Sequence, residues 1–321
     1  MSSSKVEVIQ YLVDTRKLWP AATKASDLET EASRALALLT PDERKRVLRY
    51  FFVADAKMAL ASHLLKHWVV SKYCGVPWWE TKLSADTNGK PVYKDAAGRQ
   101  PVVFNVSHQA GLVALVAVHN GDAAHEGDSS RVNIGVDIVC VSERQSRDYQ
   151  MIRTEGWAKY VDMHSEVFGR PEGAYLKTGL TALPAYAALT TENARRDYKL
   201  RAFYTLWCLR EAYVKMTGEA LLAEWLGDLV FQAFEPPAPG VAFAQSVDDG
   251  PEQVIRKHDV VFKGAKVKDA NICIRSLGPD YMTCTAVRTP ARPEDALGWE
   301  LGPFAFLTVD DIVTQGEATT P

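Results

Sequence analysis

Residues 203–218 read FYTLWCLREAYVKMTG, and their reading as one helix organises the rest of the chain. Wound at the helical period, Tyr204, Trp207, Cys208, Glu211, Lys215 and Gly218 share a sector, while Leu206, Leu209, Tyr213 and Met216 fall elsewhere. A helix apolar on nearly every side belongs in the interior, where an ionised side chain is costly unless paired or used. On a solvated face, Glu211 and Lys215 would be an ordinary i,i+4 pair supporting the helix. Apolar surroundings argue instead for a site that uses both charges.

Working outward, residues 132–141, VNIGVDIVCV, read as a strand. Val132, Ile134, Val136, Ile138 and Cys140 fall on one face, and Asn133, Gly135, Asp137, Val139 and Val141 on the other. Asp137 is the one acid in this apolar run, and Gly135 on its face is expected to leave room for a ligand. Alone, such an aspartate is more often a hydrogen-bonded structural residue. Together with Glu211 on another element, it could hold a hard cation such as Mg²⁺, which takes oxygen ligands and keeps waters and substrate phosphates in its shell. Clusters of His and Cys that would suit a softer metal are absent from the sequence.

Further upstream, PVVFNVS (101–107) and GLVALVAV (111–118) suggest a hairpin across His108, Gln109 and Ala110. Ser107 and His108 are neighbours on a strand, so they point to opposite faces and make a poor nucleophile–base pair. No G-x-S-x-G elbow frames the serine, and the chain contains neither a P-loop nor a G-x-G-x-x-G motif. A hydroxyl, an imidazole and backbone amides at a strand end suit phosphate binding, with a plain turn as the competing reading.

A strand is expected at 6–14 and a helical region from Asp27, strongest after Pro41, with Thr40 as N-cap and acids in the first turn. Its cluster of Arg44, Lys45, Arg46 and Arg49 would ordinarily be a solvated face. Turn residues across 83–101 suit loops or a hairpin, and 119–131 is a polar loop. Residues 142–199 are mixed and helical, with loop expected at 169–184. Loops at 234–242 and 247–252 precede strands near 259–264, 271–276 and 281–287, and the tail from 308 is expected to fray at its end. The order implies an α+β fold of two similar halves, taken as 1–143 and 144–321.

A length of 321 residues allows one large or two modest domains. A net charge of −3 excludes a bulk electrostatic footprint for nucleic acid. The five cysteines are scattered, odd in number and never spaced as CxxC, which argues against zinc or a disulfide framework and for a reducing compartment. The start lacks the apolar core of a signal peptide, and no apolar run approaches bilayer length. A soluble, cytoplasmic, monomeric protein without membrane contact is expected.

Taken in order, FNVSHQ (104–109), IGVDIVCV (134–141) and FYTLWCLREAYVK (203–215) resemble the signature of the Sfp-type 4′-phosphopantetheinyl transferases. The basic helix after Pro41 resembles that family's coenzyme A-binding segment, and Gly89-Lys90-Pro91 its G-K-P element. The sequence looks most like the broad-specificity enzymes of filamentous fungi. The resemblance implies a pseudo-twofold α+β fold with coenzyme A between the halves. It implies transfer of phosphopantetheine from coenzyme A to a serine of an apo carrier domain, with release of 3′,5′-ADP, in a holo-acyl-carrier-protein synthase reaction. Asp137 and Glu211 match the family's Mg²⁺ ligands, and Glu211 is the candidate to take the serine proton. Lys215 would reach the pyrophosphate, Ser107 and His108 the coenzyme A phosphates, Arg44 and Arg49 the 3′-phosphate or pyrophosphate, and Lys90 the nucleotide. Trp207 would fix Glu211 by packing. The implied partners are apo carrier domains of fatty acid synthase, polyketide synthase, non-ribosomal peptide synthetase and the aminoadipate reductase of lysine biosynthesis, contacted through apolar residues between 150 and 170.

Two departures stand out. Many members carry D-x-E, and the second acid here is Val139, which leaves two carboxylates, with Gln109 or water filling the gap. The second glycine of the family's K-x-x-G-x-G ending is Ala220. A non-catalytic coenzyme A- or carrier-binding protein of the same fold is the alternative, and a Mg²⁺-dependent nucleotide hydrolase a third.

Overall fold

The computed structural model describes residues 7–124, 132–218, 224–241, 243 and 253–319. The first strands and helices run β1 (Glu7–Asp14), α1 (Leu28–Glu31), α2 (Ser33–Ala37), α3 (Pro41–Leu48), α4 (Val53–Cys74), β2 (Leu83–Ala85), β3 (Pro91–Tyr93), β4 (Gln100–Gln109), β5 (Leu112–Ala124) and β6 (Asn133–Cys140). Next come α5 (Gln145–Glu155), α6 (Trp157–Asp162), α7 (Arg170–Lys177), α8 (Pro184–Ala187) and α9 (Glu192–Thr217). The remainder is β7 (Leu229–Gln232), β8 (Val254–Ile255), β9 (Asp259–Phe262), β10 (Ala265–Lys266), β11 (Asn271–Leu277), β12 (Tyr281–Arg288), α10 (Pro293–Leu297), β13 (Ala305–Phe306) and α11 (Val309–Ala318).

Two four-stranded sheets, β13-β1-β5-β4 and β6-β12-β11-β8, form the centre. Three apolar cores explain their stacking. Leu60, Leu64 and Val69 of α4 pack on Phe104, Val113 and Leu115 of the first sheet. Leu209 and Ala212 of α9 pack on Val139, Ile274 and Cys284 of the second. Between the sheets lie Leu112, Val116 and Val118 against Ile134, Ile138 and Val287. The layers therefore run helix, sheet, sheet, helix. β6 is buried on both faces, divided as its period-two pattern implied: the Ile134–Ile138 face meets the other sheet, and the Gly135–Asp137–Val139 face meets α9.

The halves share elements. β6 lies in the second sheet beside β12, whereas β13 pairs in parallel with β1. α11 buries Val309, Ile312 and Val313, with Ile312 and Val313 in the core under α4, so the tail is packed helix through Ala318, and residues 320–321 at the end expected to fray lie outside the described residues. The basic segment after Pro41 is two helices, because the chain leaves helical geometry at Phe52, whose backbone is extended. Thr40 caps α3 as expected, and Glu43 returns its carboxylate to Thr40 N–H and Oγ1 at 3.0 and 2.8 Å. Part of the loop expected at 169–184 is α7, begun by Pro171 in its first turn and by the Glu172 carboxylate bonding Gly169 N–H. Strand β4 continues through His108 and Gln109, and the reversal uses Ala110 and Gly111 with φ of 49° and 87°. Residues 125–131 and 247–252, expected as loop, and Ala220 of the family ending lie outside the described residues.

Candidate active site

α9 and the seam between β4 and β6 place the charged residues together. From Leu200 to Met216 the half-open positions are Trp207, Glu211 and Lys215, one stripe on an otherwise buried helix. The stripe faces β6 at very close range. A Cβ added to Gly135 would stand 2.1 Å from Ala212 O and 2.4 Å from Met216 N. The space at Gly135 is thus filled by the α9 backbone, and the expectation that it admits a ligand is corrected. Its absent side chain lets α9 sit low enough for Lys215 to reach Asp137.

β4 and β6 belong to different sheets, and alternate side chains of β4 satisfy the edge of β6. Asn105 Oδ1 accepts from Val136 N–H at 2.9 Å, and Gln109 Oε1 from Cys140 N–H at 3.2 Å. Between them Ser107 Oγ donates to Asp137 Oδ1 at 2.8 Å. Gln109 donates through Nε2 to Glu143 Oε2 at 2.5 Å, so its amide is engaged at both ends, and that engagement counts against its filling a metal site. Ser107 is buried toward Asp137, and His108, one residue on, is exposed on the other side.

Lys215 Nζ lies 2.7 Å from Asp137 Oδ1 and 2.9 Å from Ser107 Oγ. Burial pulls the ammonium down, but the charge and hydrogen bond of Asp137 more than reverse this, so its pKa is raised. Glu211 has no hydrogen bond or ion pair among the described residues. Burial first, and then the charge of Asp137, push its carboxyl up to about 7, with Lys215 opposing. Oδ1 of Asp137 is taken twice, while Oδ2 carries no hydrogen bond among the described residues. Two mutually repelling carboxylates with open oxygens are a donor set for a hard divalent cation that would bring its own waters. Among the described residues no group of three or more His, Cys, Asp or Glu could hold a metal. Desolvation and then the Lys215 charge lower the His108 imidazole from its ordinary value, with Asp55 opposing.

Lys90 Nζ donates to Ile134 O at 3.0 Å and to Lys215 O at 2.7 Å, tying the end of α9 to β6. Beside it, a cavity of about 520 Å³ opens between α3, α4 and the β2–β3 hairpin, lined by Arg46, His63, Lys66, Lys82 and Gly89 among others. Of the basic cluster, Arg46 reaches this cavity. Arg44 turns its guanidinium back onto Leu36 O at 3.0 and 3.3 Å, and Arg49 is exposed at the end of α3. On the other side of Glu211, Gln109, Val139, Met151, Tyr160 and Trp207 are among the residues lining a second cavity of about 240 Å³, with exposed Arg144 and Arg147 at its rim.

Residues 26–120 match the family model described as 4'-phosphopantetheinyl transferase, N-terminal, and residues 133–268 that of the 4'-phosphopantetheinyl transferase superfamily. "4'-phosphopantetheinyl transferase 1" of Fusarium mangiferae is 42% identical over 98% of this chain and 97% of its own. This chain belongs to the 4′-phosphopantetheinyl transferase family. Another relative, "4'-phosphopantetheinyl transferase NpgA" of Emericella nidulans, is 34% identical over 84% of this chain and 81% of its own. The "L-aminoadipate-semialdehyde dehydrogenase-phosphopantetheinyl transferase" of Schizosaccharomyces pombe is 28% identical over 68% and 70%. The expected α+β two-half transferase fold is the one observed.

Two parts of this transferase carried no signal in the sequence reading. Arg210, next to Glu211, is fully buried and donates to Glu172 Oε2 at 2.7 Å and to the carbonyls of Leu229 and Leu226 at 2.6 and 2.5 Å. Lys66 looked like one more polar residue on a long helix. The G-R-P-E run at 169–172, a helix start ending in an acid, could have flagged Glu172. For Lys66 no local pattern exists.

Proposed function

We propose that this enzyme moves 4′-phosphopantetheine from coenzyme A to a serine hydroxyl of an apo carrier domain and releases 3′,5′-ADP, with Mg²⁺ held by Asp137 and Glu211. The observation that carries this reading is the open Asp137–Glu211 pair with Lys215 beside it, at the seam between two sheets and next to a cationic cavity. A bound Mg²⁺ would offset the negative charge of the pyrophosphate. Glu211, poised near neutrality, suits a group that takes the serine proton. Lys215 is a point charge for the pyrophosphate, already aimed by Asp137 and Ser107. His108 offers an N–H donor to a phosphate oxygen, and Lys90 keeps α9 in register with the nucleotide-side loop. The nucleotide end falls to the Arg46 cavity. The carrier would approach over the second cavity, where Met163 is exposed and Arg144 and Arg147 complement an acidic partner.

No helix among the described residues is long and apolar enough to cross a membrane. We expect the enzyme to act as a cytoplasmic monomer on carrier domains of fatty acid, polyketide and peptide synthases and of aminoadipate reductase. The test combines purified protein, coenzyme A, Mg²⁺ and an apo carrier, and reads the carrier's mass. Gain of one phosphopantetheine supports the proposal. Coenzyme A binding without mass gain would leave a binding protein, and coenzyme A cleavage without carrier a hydrolase.

A further inference from the structure

Lys66 stands in the middle of α4, a helix buried on nearly every side from Met58 to Ser71. The residue is 9% exposed, and its ammonium has no hydrogen bond or ion pair among the described residues. The group opens into the cavity shared with Arg46, His63 and Lys82. Two acids, Asp42 and Glu43, also line this cavity, and Glu43 is already committed: its carboxylate bonds Thr40, His63 at 3.2 Å and His67 at 3.0 and 3.1 Å. A buried ammonium without a partner is costly and is retained where a ligand supplies the counter-charge. Burial accordingly pulls Lys66 down to about 8, with Glu43 opposing and Arg46 adding. Lys66 and Lys215 both act on His108, so the cavity and the Asp137 site flank one residue.

Coenzyme A carries two kinds of phosphate. With the pyrophosphate at Lys215, as proposed above, the group left for the separate cavity that holds Arg46, Lys66 and Lys82 is the 3′-phosphate monoester. We propose that Lys66 is a specificity-determining residue that reads this monoester and lets the enzyme distinguish coenzyme A from 3′-dephospho-coenzyme A. The inference rests on the transferase reading only for the identity of the ligand. Lys66 is a donor-only group with three N–H bonds to give, and a dianionic phosphate is an acceptor-only partner.

The experiment titrates full-length protein calorimetrically with coenzyme A and with 3′-dephospho-coenzyme A, without carrier, and repeats both for Lys66→Met and Lys66→Arg. Wild type should prefer coenzyme A by roughly tenfold or more, the scale of one charge-assisted contact. Lys66→Met should remove most of that preference by weakening coenzyme A alone, and Lys66→Arg should restore most of it. In turnover assays the loss should appear in the KM for coenzyme A rather than in kcat. A preference that survives Lys66→Met, or equal weakening of both ligands, would overturn the assignment. Equal wild-type affinity for the two ligands would overturn it as well. An intact preference without transfer to any apo carrier would count against the transferase reading and leave the role of Lys66 standing.

Discussion

Arg210 and Glu211 are neighbours on α9, and they differ in one respect that separates structure from chemistry. Arg210 is enclosed: Glu172 and two backbone carbonyls accept from its two terminal nitrogens, and Glu172 in turn accepts from Gly169 and Phe231 N–H at 2.8 Å each. Glu211 is left open, its carboxyl raised toward neutrality and facing a second carboxylate. The same contrast recurs on α4, where His67 is bonded through both ring nitrogens to Glu43 and Thr81, and Lys66 beside it has no hydrogen bond or ion pair among the described residues. Burial alone does not separate these charges; Glu211 and Lys66 differ from Arg210 and His67 in having no partner among the described residues, which is what singles them out for the roles proposed above.

The sharpest way to break the comparison is to open the closed pair. Arg210→Met strands the Glu172 carboxylate in the interior and should cost about 3–5 kcal/mol of stability, read by denaturant unfolding. Adding Glu172→Met should recover much of that loss. If the double variant is no more stable than the single, the pair is not the satisfied unit described here. Glu211→Gln is the converse: it should lower transfer by about 10³-fold while leaving the unfolding midpoint at or above wild type and coenzyme A binding largely intact. A Glu211→Gln variant with full activity would remove Glu211 from the chemistry. Gly135→Ala acts on both at once, because the added methyl meets the α9 backbone rather than a side-chain tip. A loss of about 3 kcal/mol is expected, with transfer reduced further because Lys215 moves away from Asp137. Wild-type stability at that position would mean that α9 can slide without penalty.

Much of this arrangement was legible in the residues. The period-two pattern of β6 gave the correct division of its faces, and the sector of α9 holding Trp207, Glu211 and Lys215 is the stripe left half open. What the residues did not disclose depends on distance across the fold. Gly135 reads as a gap in the strand, and only the docking of α9 shows that backbone fills it. Arg44, Arg46 and Arg49 are equivalent on paper, and the rotation of α3 decides which one enters the cavity. Lys66 and His67 are adjacent polar residues of one helix, and their opposite fates follow from Glu43, some twenty residues away and already bonded to the histidines. Gln109 is a further case: its amide has the chemistry of a ligand, and across the fold Cys140 N–H of β6 engages one end and Glu143 the other.

The smallest expected effect sharpens the comparison through pH. Burial raises the folded-state pKa of Glu211 to about 7 from the ordinary carboxyl value of 4.5, so between these values the folded chain holds a proton that the unfolded chain has released. Metal-free stability contributed by this group is therefore complete below the unfolded value, declines as pH rises, and is gone above about 7. The full shift corresponds to on the order of 3 kcal/mol, which partial solvation reduces to about 1–2 kcal/mol. Unfolding of wild type and Glu211→Gln in chelator at pH 5 and pH 8 measures the difference directly. Glutamine, which has no proton to lose, should gain relative stability on going to pH 8.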